Sequence, residues 1–172
     1  MDTLINVVAA LALYYNLNEV KLAGEKKKAQ ELKTRLFRNS KEDIAEFKLV
    51  FRDKTVRVKR DEKEWRLLEP LQDRGDQFTL DNMAANLVNS ISLRTLLENP
   101  DENKLPEYGL GVPYTQVYVK LKGGREEGPL LIGDMSPFEG YVYIRRPGDN
   151  TIYLANALLR KGLDKPLYDI RD

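Results

Sequence analysis

The sequence predicts an α+β fold: two antiparallel β units with one covering amphipathic helix, preceded by a long N-terminal helix. Three observations predict it. Period-two alternation fills two separate parts of the chain, a single stretch between them follows the helical period, and an apolar run at the start passes into a charged segment of good helix formers. Residues 1–40 therefore read as a hydrophobic helix with a charged stalk, and residues 41–172 as the α+β domain.

Residues 4–15 (LINVVAALALYY) open the chain. A bilayer core roughly 30 Å thick takes about 20 apolar residues as helix, so the run is short. Lengthening it to Val20 brings in Asn16, Asn18 and Glu19 beside Asn6, polar groups that need partners or an interfacial position. Tyr14 and Tyr15 stand where an interfacial aromatic belt places them. Two readings stay open. Leu4, Ile5, Val7, Val8, Leu11, Leu13, Tyr14 and Tyr15 form a membrane or partner helix, or the same residues pack into the chain's own core. A cleaved signal peptide needs a basic region first, and only Asp2 precedes the run.

Residues 25–38 (EKKKAQELKTRLFR) contain no Gly or Pro, and Ala29, Leu32 and Leu36 fall on one narrow stripe. Glu31 lies four residues before Arg35, the favourable order for a helix surface pair. With the apolar run, this predicts one long helix or two collinear ones, roughly 50 Å at 1.5 Å per residue. Lys26, Lys27 and Lys28 read as a solvated face, or as a contact with anionic headgroups.

The domain follows in three parts. In the first, Phe47, Leu49 and Phe51 alternate with Glu46, Lys48 and Arg52, Val56 and Val58 with Arg57 and Lys59, and Trp65 stands with Leu67. Short polar connections make these a meander ending at Pro70. Next, Leu80, Met83, Ala84, Leu87, Val88 and Ile91 mark a helix, with Thr79 as the expected cap. Residues 93–98 read as a strand or an extended link. In the last part, residues 116–122, 130–132, 140–145 and 151–154 read as strands, with a hairpin turn at Pro147, Gly148, Asp149 and Asn150. Asn156 is expected to cap a short helix through Leu159, and residues 165–170 to run out extended.

Composition bears on chemistry more sharply than on fold. The 172 residues include Lys+Arg 28 against Asp+Glu 27, a net charge of +1 that creates no general field for nucleic acid. The chain has no His and no Cys, which removes the commonest general base, the thiol nucleophile and most transition-metal ligands. No catalytic, cofactor or metal residue is expected, and the protein reads as a non-enzyme. Asp134 and Glu139, the only candidate acid/base pair, read as polar loop residues. Gly109-Leu110-Gly111 lacks the third glycine of a dinucleotide loop, and Pro106 rejects a calcium loop at residues 101–103.

A family resemblance rests on particular residues. These are Trp65-Arg66-Leu67 ending at Pro70, the amphipathic helix, Tyr108-Gly109-Leu110 followed by Pro113, Leu131-Ile132-Gly133, Gly140-Tyr141-Val142-Tyr143 and residues 167–172 (LYDIRD). From about Ile44 to the end, the chain resembles the bacterial domain of unknown function 4340 family. The resemblance implies a single-pass membrane protein with an extracytoplasmic (periplasmic) domain, since many members look so and some lie beside ABC-type transporters of the gliding-motility kind. Such members usually carry basic residues before the membrane helix, whereas here the lysines follow it. Charge bias alone would place the domain in the cytoplasm.

Aromatic residues of the last part supply the candidate contact surface. Tyr114 and Tyr118 share one alternation, Tyr141 and Tyr143 another, with Phe138, Arg145 and Arg146 close in sequence. They form an interface if they lie on a wet face, and ordinary sheet packing otherwise. The function expected is a non-catalytic, membrane-anchored accessory or scaffold subunit binding other protein subunits of a larger membrane complex. The alternative is a tethered ligand-binding domain for glycan or peptide.

Overall fold

The computed structural model describes residues 19–26, 34–89, 91 and 93–172. The chain divides into two units, Met1–Thr34 and Arg35–Asp172. In the first, residues 19–26 are helical and exposed. The apolar positions Leu4 to Tyr15 of the expected membrane or partner helix lie outside the described residues. Among the described residues, no helix is long and apolar enough to cross a membrane.

The second unit corrects the expected fold. In place of two β units with one covering helix, it holds a single nine-stranded sheet with small helices around it. The strands are β1 (Ile44–Phe51), β2 (Thr55–Asp61), β3 (Glu64–Glu69), β4 (Asp73–Arg74), β5 (Leu93–Glu98), β6 (Thr115–Leu121), β7 (Glu126–Met135), β8 (Tyr141–Arg145) and β9 (Thr151–Asn156). Their order is β4-β3-β2-β1-β6-β7-β8-β9-β5, with neighbouring strands antiparallel. The pairing of β1 with β6 fuses the two meanders: Phe47 stands opposite Val58 on one side and Val119 on the other. Alternation fixes which face a side chain takes, but not which strand lies alongside.

One face of this sheet carries the main core. The helix α1 (Gln77–Val88) buries Leu80, Met83, Ala84, Leu87 and Val88, which join Phe47, Leu49, Val117, Leu130, Ile132 and Ile144. It is not the sole cover: α2 (Leu158–Leu163), α3 (Leu167–Ile170) and residues from Leu36 and Phe37 contribute Leu159, Leu163, Ile170 and both of the latter side chains. The helix read through Arg38 gives way here, because residues 36–39 are bends and Leu36 and Phe37 are buried in the core. A broad apolar face repays far more burial than a thin stripe, at roughly 25 cal/mol per Å². The α1 cap is Asp76, whose carboxylate accepts the Thr79 backbone N–H at 2.7 Å, so the helix starts three residues before the expected place. Residues 167–170, expected to be extended, form α3.

A second, smaller core lies on the opposite face of the sheet. There the 3-10 helix Glu102–Tyr108 and Leu110 lay Leu105, Tyr108 and Leu110 over Ile152, Leu131, Leu97 and Tyr143. Gly109 closes that helix in the left-handed region at φ 66°.

Candidate functional site

The two ends of the sheet differ in chemistry. At one end lie the exits and entries tied together by Phe51 opposite Thr115, Met135 opposite Val142 and Tyr141 opposite Asn156. The loops and element ends there hold four exposed apolar side chains: Val112 (73%) and Phe138 (67%) in loops, Met135 (47%) at the end of β7 and Leu158 (67%) at the start of α2. Hydrogen bonds place these segments side by side. The Arg52 guanidinium donates to the Val112 carbonyl at 3.0 Å and to the Asp134 carboxylate at 3.3 Å, and the Ala157 N–H donates to the Gly140 carbonyl at 2.9 Å. Single exposed apolar residues are ordinary; four at adjoining loops and element ends are not.

The base beneath these loops is fixed by Asp164. Lys54 Nζ donates to its carboxylate at 2.6 Å, the Tyr114 hydroxyl donates to it as well, and Arg160 lies 3.3 Å from the Tyr114 ring centroid. Burial pushes the Asp164 carboxyl up, but the hydrogen bonds from Lys54 and Tyr114 outweigh it and hold the carboxyl below its usual range. The loop before β8 is ordered by Ser136, whose hydroxyl accepts the Phe138 N–H at 3.1 Å.

The aromatic residues expected to form one surface are spread over the sheet. Tyr114 packs edge-on to Phe51 at 5.9 Å and joins the main core. Tyr118 sits on the other face, with Lys48 Nζ 5.0 Å from its ring. Tyr143 meets Tyr108 edge-on at 5.0 Å in the small core, and Tyr141 lies under Arg94 at 5.3 Å. Arg145 binds Glu102 and Asn150, whereas the next residue, Arg146, binds Asp149 and Tyr153. Phe138 is the one member of that set among the four exposed apolar residues.

Sequence reasoning missed Val112, Met135 and Leu158. For two of them a signal was present, an apolar residue beside turn formers, as in Gly111-Val112-Pro113 and Met135-Ser136-Pro137-Phe138; Leu158, in Ala157-Leu158-Leu159, carries none. Asp134 is exposed and paired with Arg52, and Glu139 is exposed in its loop.

At the opposite end, β7 runs past the end of β8: Leu131 pairs with Arg145, and the earlier Glu126, Glu127 and Leu130 pair with β6 alone. Residues 35–39 and the turn at 146–150 border the space beside them, a cavity of about 680 Å³. Here Arg146 stacks at 4.6 Å over Tyr153 and donates to Asp149 at 2.5 Å.

Compared with known proteins, residues 65–172 match the sequence profile of a family described as Domain of unknown function (DUF4340). The matched stretch runs from β3 to the end of the chain and includes all four exposed apolar residues. No curated protein matches the chain, and no solved structure does.

Proposed function

The chain belongs to the DUF4340 family, and from that premise, which names no activity, we propose that it is a non-catalytic accessory or scaffold subunit whose domain docks other proteins of a larger membrane complex. One observation carries the reading: Val112, Met135, Phe138 and Leu158 are exposed together at one end of the sheet. Exposed aromatic and aliphatic tips of this kind supply the anchors of protein interfaces. Asp134 beside Met135 is paired with Arg52, whereas Glu139 beside Phe138 has no basic partner among the described residues, so the Phe138 tip carries a negative neighbour. Anionic headgroups repel that charge, whereas a protein surface with basic groups accepts it.

The remaining features support the same role. The apolar run at residues 4–15 suits a station at a membrane, and the family resemblance favours an extracytoplasmic domain. Arg35, where the domain begins, lines the cavity at the end opposite the exposed loops. The docking end therefore lies away from the point where the chain enters the domain. A sequence without His or Cys suits a role that needs neither general-base nor thiol chemistry.

Site-specific photocrosslinking in native membranes tests the reading. A benzophenone side chain at position 138 of the full chain is expected to give one defined protein adduct, lost on Leu158→Asp, while the same group at the exposed position 168 does not give that adduct. Adducts to lipid alone, or the same products from both positions, would overturn it.

A further inference from the structure

We propose that the cavity between residues 35–39, the start of β7 and the turn at 146–150 binds a small ligand through a phosphate or carboxylate group. Its volume, about 680 Å³, falls within the range of small-molecule sites. Four guanidinium groups line it, those of Arg35, Arg38, Arg125 and Arg146, against two carboxylates, Glu127 and Asp149. Both carboxylates are already engaged: Glu127 takes Arg125 at 2.8 Å and Asp149 takes Arg146 at 2.5 Å. Arg35 and Arg38 have no carboxylate partner among the described residues, so the described lining carries two more guanidinium groups than carboxylates.

Burial sharpens that imbalance. The Arg35 Nε is buried without a hydrogen-bond partner among the described residues, a costly arrangement for a charged donor unless something else accepts from it. Its backbone is fixed, because the Arg146 Nη1 donates to the Arg35 carbonyl at 3.3 Å. The following residues are anchored as well: Leu36 and Phe37 are buried, and the Phe37 N–H donates to the Leu87 carbonyl at 3.2 Å. Arg35 and Arg38 thus flank a pinned pair and line the same cavity. A guanidinium presents its donors as a planar fork that matches the oxygens of phosphate or carboxylate. A cationic ligand would meet the excess of guanidinium groups, and an apolar one would leave the buried donor unmet.

This site lies at the end of the sheet opposite the docking loops, and the inference does not rest on the protein-binding reading. Calorimetric titration of the full chain with inorganic phosphate and, separately, with succinate at fixed ionic strength tests it. Saturable binding of at least one probe is expected, with a rise in Tm that sodium chloride at equal ionic strength does not produce. Whichever probe saturates identifies the oxyanion. Arg38→Gln, at an exposed side chain, is expected to weaken binding about tenfold, and Arg35→Gln at least as much; if Arg35→Gln fails to fold, Arg38→Gln decides. Neither probe saturating, chloride stabilising equally, or Arg38→Gln binding like the parent would each overturn the proposal. The position-138 crosslink is expected to survive Arg38→Gln.

Discussion

Tyr153 donates its hydroxyl hydrogen to the Asp149 oxygen that also holds Arg146, at 2.7 Å from the phenol and 2.5 Å from the guanidinium. The Arg146 Nη2 also donates to the Tyr153 oxygen at 2.8 Å, so the three groups close on one another. Burial pushes the Asp149 carboxyl up, yet the bonds from Tyr153 and Arg146 prevail and hold it below its usual range. Burial and the bond to Asp149 push the Tyr153 phenol above its usual range.

Both shifts predict a pH dependence, with opposite signs. Asp149 is lowered in the fold, so its contribution is present above the unfolded value near 3.9 and is lost as pH falls through the lower folded value. Tyr153 is raised, so its contribution is present below the unfolded value near 10 and is lost as pH climbs through the higher folded value. Thermal melts should show Asp149→Asn less stable by about 1–3 kcal/mol at pH 7, with a shallower acid loss than the parent. In an alkaline absorbance titration, Tyr153→Phe should remove a late-titrating tyrosine. Identical acid slopes for Asp149→Asn and the parent would sink the assignment.

Asp81 predicts a second loss of stability. Its carboxylate accepts Trp65 Nε1 at 2.9 Å, Arg60 at 2.6 Å and Lys41 at 3.3 Å, and Arg60 lies 4.3 Å over the Trp65 ring. Asp81→Ala leaves the buried indole N–H and the mostly buried guanidinium without their acceptor, at a cost of about 2–3 kcal/mol. Trp65 is the only tryptophan, so its fluorescence reports the site directly. Urea melts followed at that signal should move to a lower midpoint; an unchanged midpoint would show the carboxylate to be dispensable.

The sequence made the elements more legible than their neighbours. Val56 against Arg57 and Trp65 against Arg66 announce strands with one wet face, and Leu80, Met83, Leu87 and Val88 announce α1. The partnership of Phe47 with Val119 has no local signature, because many strands would satisfy the same alternation; local pattern alone therefore leaves one sheet looking like two units. The exposed Phe78 breaks the apolar period in the first turn of α1 and hid the Asp76 cap. Site residues fared worse. Tyr114 and Tyr118 share parity, but β6 begins only at Thr115, so Tyr114 escapes the strand's alternation and turns toward Phe51 and Asp164. The arginine-lined cavity joins residues about 90 to 110 positions apart, beyond the reach of any motif.

Gly133 on β7 tests the attachment of the small core. A Cβ at this position would lie 2.2 Å from the Tyr108 carbonyl oxygen, a backbone atom that cannot swing aside. Gly133→Ala must push the end of the 3-10 helix off the sheet, at about 1–3 kcal/mol or more. Gly123, in the turn before β7, meets nothing within 4 Å of an added Cβ. Gly123→Ala should stay within about 0.5 kcal/mol of the parent. Amide exchange should show faster opening around Leu105 and Leu110 in Gly133→Ala alone; equal protection in both variants would contradict the packing described.

The docking reading makes the sharpest prediction, because it separates stability from binding. Phe138 and Leu158 are largely exposed, so Phe138→Ser with Leu158→Ser removes little buried area from the free domain, and its Tm should stay close to the parent's. In a complex the same side chains are buried, and each loses roughly 1.5–3 kcal/mol of burial on truncation. Retention by the partner identified through the position-138 crosslink should therefore fall by about tenfold or more. The exposed Tyr168 on α3 serves as the control, and Tyr168→Ser should leave retention unchanged. A double serine variant that is retained as well as the parent, at unchanged Tm, would show that these loops are not the contact.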